Sequence, residues 1–388
     1  MLPLHTHAIG VGLPPDAILK VLTLSEALEG HYQSTRTLID QRQGPEISPG
    51  AFRKLNFAGV LGGQANKTIP RLEAVTRQDV IAPGDVIRLR ARGQVSVLFR
   101  RSANANFLFA TERCNSACLM CSQPPRDEDD TWRVREILDT IPLIDRDIAA
   151  IGMTGGEPTL LGLRLREIVI SVLTHLGNAQ FNILTNGRLL ADSELAARLA
   201  TGTRRVLWAI PLYADTAARH DHVVQAEGAF DETLNGLYNL AERGEAVEIR
   251  IVLHALTIDR LLPFAEFVWR NLPFVAHVAF MGLEPMGFAK INRDLLYVDA
   301  ADYRAQLEEA VWYLHDRGIK TSIYNTPLCL LSQSARPLAR KSISDWKNTF
   351  PPECDPCAMR EQCSGFFRSA GAEWRSRHIH PIFKEART

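Results

Sequence analysis

From residue 106 onward, short apolar runs alternate with stretches of helical period. The runs are Phe107–Ala110, Ala149–Met153, Phe181–Leu184, Val206–Leu212, Val247–Leu253 and His277–Leu283. Each is too continuous for a half-exposed strand and reads as a parallel strand covered on both faces. Helical spacing occupies about 133–147, 161–176, 191–200, 230–243, 259–271 and 301–317. Strands that alternate with helices imply right-handed βαβ units. Six units are too few for a closed eight-stranded barrel. The expected fold is therefore α/β, a partial (β/α)6 TIM-type barrel over 106–317, with reactive groups at the strand C-terminal ends.

The flanks follow other patterns. In residues 1–105 a helix is expected through Pro14–Gly30, carrying Ile18, Leu19, Val21, Leu22, Leu24 and Leu28. Pro83-Gly84 and Gly93 bracket two β-rich runs, a hairpin near 86–99 in a small mixed α/β domain. Arg88, Arg90 and Arg92 would share one hairpin face, either a grip for an acidic peptide or a solvated surface. Residues 318–388 form a third region, a cysteine-rich metal-binding extension, in which Ser342–Asn348 is expected to be an ordered surface or substrate-facing loop. No repeat or low-complexity tract interrupts the chain.

Composition narrows the function classes. Lysine plus arginine and aspartate plus glutamate both number 44, so no general electrostatic case exists for nucleic acid or membrane binding. No apolar run reaches the ~18 residues of a membrane span, and the N-terminus lacks a secretory pattern. The seven cysteines are an odd number in two groups, 114–121 and 329–363, which fits thiolates kept free for metal in a reducing cytoplasm better than a disulfide framework.

The chemistry concentrates at the strand tips. Cys114, Cys118 and Cys121 follow the first run with C-x3-C-x2-C spacing, three ligands for a cubic iron–sulfur cluster with one iron left open. After the second run come Thr154, Gly155, Gly156 and Glu157. The two glycines permit close backbone approach and the carboxylate can hold a cationic amino group. The third tip carries Asn186 in Thr185-Asn186-Gly187, readable as a plain turn. The fourth carries Tyr213, followed by a His220-Asp221-His222 loop whose His or Asp could touch substrate or cofactor. Glu248 and Arg250 lie inside the fifth run, as a structural ion pair or with Arg250 answering a ligand carboxylate. Glu284 lies on the sixth tip. Cys329, Cys354, Cys357 and Cys363 could close a zinc site or ligate a second cluster.

These residues together resemble the radical S-adenosylmethionine (SAM) superfamily. In it the open iron chelates SAM, the Gly-Gly-Glu motif binds its amino group, the Thr-Asn-Gly tip faces the active site and the sixth tip lies beside adenine. The strings Cys-Leu-Met-Cys-Ser-Gln-Pro-Pro, Met-Thr-Gly-Gly-Glu-Pro-Thr-Leu, Leu-Thr-Asn-Gly-Arg, Phe-Met-Gly-Leu-Glu and Ser-Ile-Ser-Asp-Trp-Lys-Asn further resemble the HxsC group of maturases in the His-Xaa-Ser system, over roughly 106–368. The last four cysteines resemble a SPASM or twitch extension with an auxiliary [4Fe–4S] cluster. The resemblance implies a cytoplasmic enzyme that forms a 5′-deoxyadenosyl radical and takes hydrogen from a ribosomally made peptide or protein, modifying or crosslinking it. It also implies an electron donor such as a flavodoxin or ferredoxin, a second radical SAM protein and a small accessory protein. A radical SAM enzyme of small molecules and a non-catalytic peptide-presenting partner are the competing readings.

Overall fold

The computed structural model describes residues 4–30, 32–44, 46–62, 68–343 and 347–383. The chain packs as two compact units: Met1–Phe109 with Thr131–Gly152 and Arg166–Phe181, and Ala110–Asp130 with Met153–Leu165 and Asn182–Thr388.

The first unit holds an eight-stranded sheet in the order His5–His7, Gln94–Phe99, Val86–Leu89, Ala17–Leu22, Thr37–Asp40, Gly59–Leu61, Arg71–Glu73, Ile9–Val11. Ala17–Leu22, Thr37–Asp40, Gly59–Leu61 and Arg71–Glu73 run parallel, and the outer pairs are antiparallel. Neighbours along a strand point to opposite faces. Leu38 and Leu61 enter one apolar cluster, while Ile39 and Val60 enter another with Phe52 and Phe57.

Such two-faced burial overturns the helix expected over Pro14–Gly30. Asp16 turns the chain at φ 56°, and Ile18, Leu19, Val21 and Leu22 lie in a strand. Only Leu24–Glu29 is helical, started by a capping box between Thr23 and Glu26. Lys20 sits in this strand at 1% exposure, and its ammonium donates to Asp145 at 3.0 Å. Burial lowers the Lys20 pKa, against the pull of Asp145. The 86–99 hairpin is present, but its arginine face is not simply solvated. Arg88 is half-buried, ion-paired with Glu136 and stacked on Trp132 of helix Trp132–Thr140.

The second sheet follows chain order: Phe107–Phe109, Ala150–Thr154, Gln180–Leu184, Val206–Pro211, Ala246–Leu253, His277–Gly282, Thr321–Tyr324, Ala339–Arg340. From Val206 to Arg340 every pairing is parallel. Helices Leu163–His175, Ser193–Leu199, Ala229–Glu242, Leu261–Asn271 and Arg304–His315 separate its strands. This is the α/β architecture expected of a partial (β/α)6 barrel, and the sheet continues past the sixth strand through two short ones. The segment read as a His220-Asp221-His222 loop is instead helix Ala217–Val224. Of Ser342–Asn348, residues 344–346 lie outside the described residues.

Candidate active site

Cys114, Cys118 and Cys121 lie on one irregular loop, all three partly buried. Burial pushes the thiol of Cys114 up to about 11, with Glu157 and Cys121 adding to it. Burial pushes Cys118 up to about 12, with Cys121 and Cys114 adding to it. Burial also raises Cys121. These couplings place the three sulfurs within each other's fields. The loop backbone is pinned along its length. Ala117 and Leu119 donate to the carbonyls of Val224 and Val223, and Asn292 Nδ2 donates to Leu119 O at 2.8 Å. Phe288 N donates to Cys121 O at 2.8 Å. Asp130 closes the loop's far end by accepting from Thr111 Oγ1 and the Glu112 amide.

The Gly155-Gly156 pair does permit close approach, but of the chain's own backbone. A Cβ on Gly156 would stand 2.1 Å from the Arg113 carbonyl oxygen, and one on Gly155 2.6 Å from that of Thr111. Gly156 N donates to Thr111 O at 2.7 Å, Glu157 N to Arg113 O at 2.8 Å and Ala110 N to Thr154 O at 2.7 Å. The Glu157 side chain is enclosed by the protein. It is 0% exposed, and its carboxylate takes four protein donors: Thr159 N, Thr159 Oγ1, Thr185 Oγ1 and Asn186 N. Burial raises its pKa against those hydrogen bonds. Three of those donors meet Oε1 and one meets Oε2, so the enclosed carboxylate ties the second tip to the third.

The third tip reaches the cysteine loop directly. Asn186 Nδ2 lies 3.9 Å from Cys114 Sγ and donates to Asn115 Oδ1 at 2.6 Å. Arg188 donates through Nη1 to the Asn115 carbonyl and Ser116 Oγ, and through Nε to Glu232 at 2.6 Å. Sequence spacing alone points to neither Arg188 nor Asp130 as a site residue. Arg188 stood in the Thr-Asn-Gly-Arg string, where a cation just past a turn facing a thiol-rich loop was the available signal.

Tyr213 is buried, and its phenol is raised well above its ordinary value by burial and then by Cys118 and Cys121, with Arg250 pulling the other way. Its ring stacks on His220 at 5.8 Å, and its amide donates to His220 Nδ1. His220 is buried and pushed down to about 4, so it is a neutral prop. Asp221 accepts from the Gly228 and Phe230 amides and so caps the following helix. Neither residue is the free loop ligand expected. Arg250 Nε donates to Glu248 at 2.6 Å, and His277 Nδ1 lies 2.8 Å from the same carboxylate. Burial alone would raise Glu248, but His277 and Arg250 together hold it low. Among the described residues, the terminal nitrogens of Arg250 carry no hydrogen bond. Glu284 is engaged by Lys347 at 3.0 Å.

Residues 108–268 match the radical SAM superfamily. The match takes in the three cysteines, Thr154–Glu157, Asn186, Tyr213 and Arg250, and it supports membership of that superfamily of enzymes. No curated protein matches. Among solved structures, the chain is similar to Streptococcus suis SuiB bound to S-adenosylmethionine, at 16% identity over 58% of this chain and 51% of that one, with a TM-score of 0.46. It is also similar to anSMEcpe with bound AdoMet, at 16% identity over 56% and 62% (TM-score 0.42), and to a radical SAM methyltransferase from Sphaerobacter thermophilus, at 17% over 62% and 72% (0.41). The match thus spans about half the length of SuiB.

The radical SAM superfamily implies SAM and a [4Fe–4S] cluster, and the donor set suits that cluster. Three thiols on one loop, with Cys114 and Cys118 each coupled to Cys121, match in type and number the cysteine ligands such a cluster takes. The last four cysteines also converge. Cys329, Cys354 and Cys363 are buried, Cys357 is partly so, and all four line one pocket with Phe350, Met359, Phe366 and Ile382. Burial, then Cys329, Cys363 and Cys357, push Cys354 up to about 11. Backbone amides aim at the sulfurs, Leu328 and Gly365 at Cys363 and Ile382 at Cys357, each at 3.4 Å. Such amide–sulfur bonds favour thiolate ligands.

Among the described residues, no helix is long and apolar enough to cross a membrane.

Proposed function

We propose that this chain is a radical SAM enzyme that modifies a ribosomally made peptide or protein, of the His-Xaa-Ser-repeat type. The observation that carries the radical SAM part is the triple-cysteine loop, held by Arg188, Asn186 and the Gly155-Gly156 contact within the segment that matches the superfamily. The peptide part rests on the sequence strings shared with the HxsC group. Held by Cys114, Cys118 and Cys121, a reduced [4Fe–4S] cluster would supply the one electron needed for reductive cleavage of SAM to methionine and a 5′-deoxyadenosyl radical.

The chain's own residues hold and aim. Cys114, Cys118 and Cys121 give up their protons as they become ligands. Arg188 keeps positive charge beside the loop, which favours that deprotonation. Asn186 contacts Cys114 and stands at the edge where SAM would lie. The unused edge of the Arg250 guanidinium would pair with the SAM carboxylate, a charge-assisted contact. Tyr213 walls the site from below, between two imidazoles kept neutral by burial: His220 at 5.8 Å and His254, pushed down to about 3, at 6.4 Å. By the Gly-Gly-Glu resemblance, Glu157 and the Thr154–Gly156 turn would take the SAM ammonium. Glu284, tied to Lys347, closes the sixth tip. A flavodoxin or ferredoxin donor, a second radical SAM protein and a small accessory protein complete the proposed system, in the cytoplasm.

For the last four cysteines we favour an auxiliary [4Fe–4S] cluster over zinc. After anaerobic reconstitution, a variant with Cys329, Cys354, Cys357 and Cys363 all changed to alanine is expected to lose about four iron per chain. No loss of iron, with loss of one zinc instead, would reverse the assignment. The substrate class is tested by mass spectrometry of a co-expressed His-Xaa-Ser-repeat peptide. Loss of two hydrogens in the presence of the intact enzyme is expected, and an unchanged peptide mass with turnover of a small molecule would refute the peptide reading.

A further inference from the structure

Glu248, His277 and Ser322 stand on three neighbouring parallel strands. The register places His277 opposite Glu248, and Ser322 opposite Ala279, two residues on from His277. Alternation then puts Glu248, Arg250, His277, Ser322 and Tyr324 on one face of the sheet. Hydrogen bonds join four of them in series. Glu248 Oε1 accepts from Arg250 Nε at 2.6 Å, its Oε2 lies 2.8 Å from His277 Nδ1, and His277 Nε2 lies 3.0 Å from Ser322 Oγ. The imidazole also meets the Tyr324 ring edge-on at 6.2 Å.

The order of groups is that of a nucleophile triad, but Ser322 is 4% exposed within a strand, which keeps a substrate carbonyl away from its hydroxyl. Orientation is the role that fits. Against burial, His277 and Arg250 hold Glu248 low, so it is a carboxylate that accepts from both. His277 Nδ1 therefore carries the proton facing it, and Nε2 is left to the serine hydroxyl. An arginine and a carboxylate ordinarily meet through two parallel bonds, fork on fork. Here the imidazole occupies the second carboxylate oxygen and limits the guanidinium to one bond. Among the described residues, the terminal nitrogens of Arg250 carry no hydrogen bond. After burial, the charges acting on the Tyr213 phenol include those of Cys118, Cys121 and Arg250, so the guanidinium stands in the neighbourhood of the cysteine loop.

We propose that His277, backed by Ser322, is a positioning residue for SAM: by holding Glu248 Oε2 it keeps the terminal edge of Arg250 open for the SAM carboxylate. This rests on the reading of Arg250 given above. It adds that, without the imidazole, the guanidinium closes on Glu248 with both prongs.

The test compares SAM with decarboxylated SAM by calorimetric titration of the reconstituted full chain, anaerobic and without reductant, so that nothing is cleaved. The ratio of the two dissociation constants reads the carboxylate contact, and any contribution of the open iron is common to all variants. His277→Phe keeps a ring against Tyr324 and removes both nitrogens. It is expected to weaken SAM about tenfold, the worth of roughly one hydrogen bond to a charged group, and to leave decarboxylated SAM within about twofold. His277→Asn, whose amide nitrogen takes the place of Nδ1, should restore most of the preference for SAM. An imidazole that serves only the fold would weaken both ligands alike, and that result overturns the proposal, as does an unchanged ratio in His277→Phe. Should the phenylalanine variant fail to fold, as melting curve and iron content show, His277→Leu reads the same ratio. Arg250→Gln separates the two readings. Collapse of the ratio there with an unchanged ratio in His277→Phe removes only the role of His277. An unchanged ratio in Arg250→Gln removes the Arg250 reading and this proposal with it.

Discussion

Changing Cys114, Cys118 and Cys121 together to alanine is expected to bring 5′-deoxyadenosine formation down to the level of a no-enzyme control, with loss of about four iron per chain. The thiols are the only cysteines of the segment that matches the superfamily, and their loop presents no fourth ligand. Without metal, burial and mutual repulsion hold Cys114 near 11 and Cys118 near 12, so at neutral pH they stay protonated. Iron must displace those protons, and the surrounding loop must tolerate the exchange. Chromatography of the anaerobic reaction after reconstitution measures the product, and iron analysis measures the cluster. Retention of the iron assigned to the last four cysteines would show that the variant is folded. SAM cleavage that persists in the triple variant would defeat the radical SAM assignment.

The strand rhythm after residue 106 was legible because strands covered on both faces leave continuous apolar runs, and five of the six intervening helices lie close to their expected places. Thr321–Tyr324 and Ala339–Arg340 were missed because four and two residues leave no pattern to read. Ala17–Leu22 was misread for the opposite reason. A run of Ile, Leu, Val and Leu buried on both faces is apolar at helical and strand spacings alike, and only β-branching tilts the choice. At His220–His222 polar residues outweigh apolar ones, and that pattern predicts a loop. The helix is fixed by tertiary contacts, with Val223 and Val224 in an apolar cluster beneath the cysteine loop and Asp221 turned onto the next helix.

Site residues were legible as types more than as roles. The glycines at 155 and 156 signalled close approach, and the structure supplies the approaching group: the carbonyls of Thr111 and Arg113. Glu157 signalled a carboxylate at a strand tip, yet its four donors come from Thr159, Thr185 and Asn186, residues that no spacing rule would bring together around it. For Arg250 the sequence allows two roles; the structure shows Nε on Glu248, and the ligand role belongs to the proposal.

The glycine contact leads to the second large expected effect. In Gly156→Ala the new methyl would meet the Arg113 carbonyl oxygen at 2.1 Å, its carbon at 2.5 Å and the Glu112 oxygen at 3.0 Å. All three are backbone atoms, so no side-chain rotation relieves the clash. Either the 154–157 turn or the 111–114 segment must move. The amide bonds from Gly156 to Thr111 and from Glu157 to Arg113 then break or lengthen. Overpacking of this kind costs about 1–3 kcal/mol, and each lost hydrogen bond adds about 1 kcal/mol. Because the displaced segment leads into Cys114, the expected outcome is a lower melting temperature together with less than about half the iron at the triple-cysteine site, and a matching fall in SAM cleavage. Gly162→Ala is the control. Gly162 has φ 56° and ψ −130°, with nothing within 4 Å of an added Cβ, so alanine there incurs backbone strain of about 1–3 kcal/mol but no clash with the cysteine loop. It should lower the melting temperature comparably and leave iron content intact. If Gly156→Ala loaded iron and cleaved SAM as the unaltered chain does, the turn would not be what holds the cysteine loop in place.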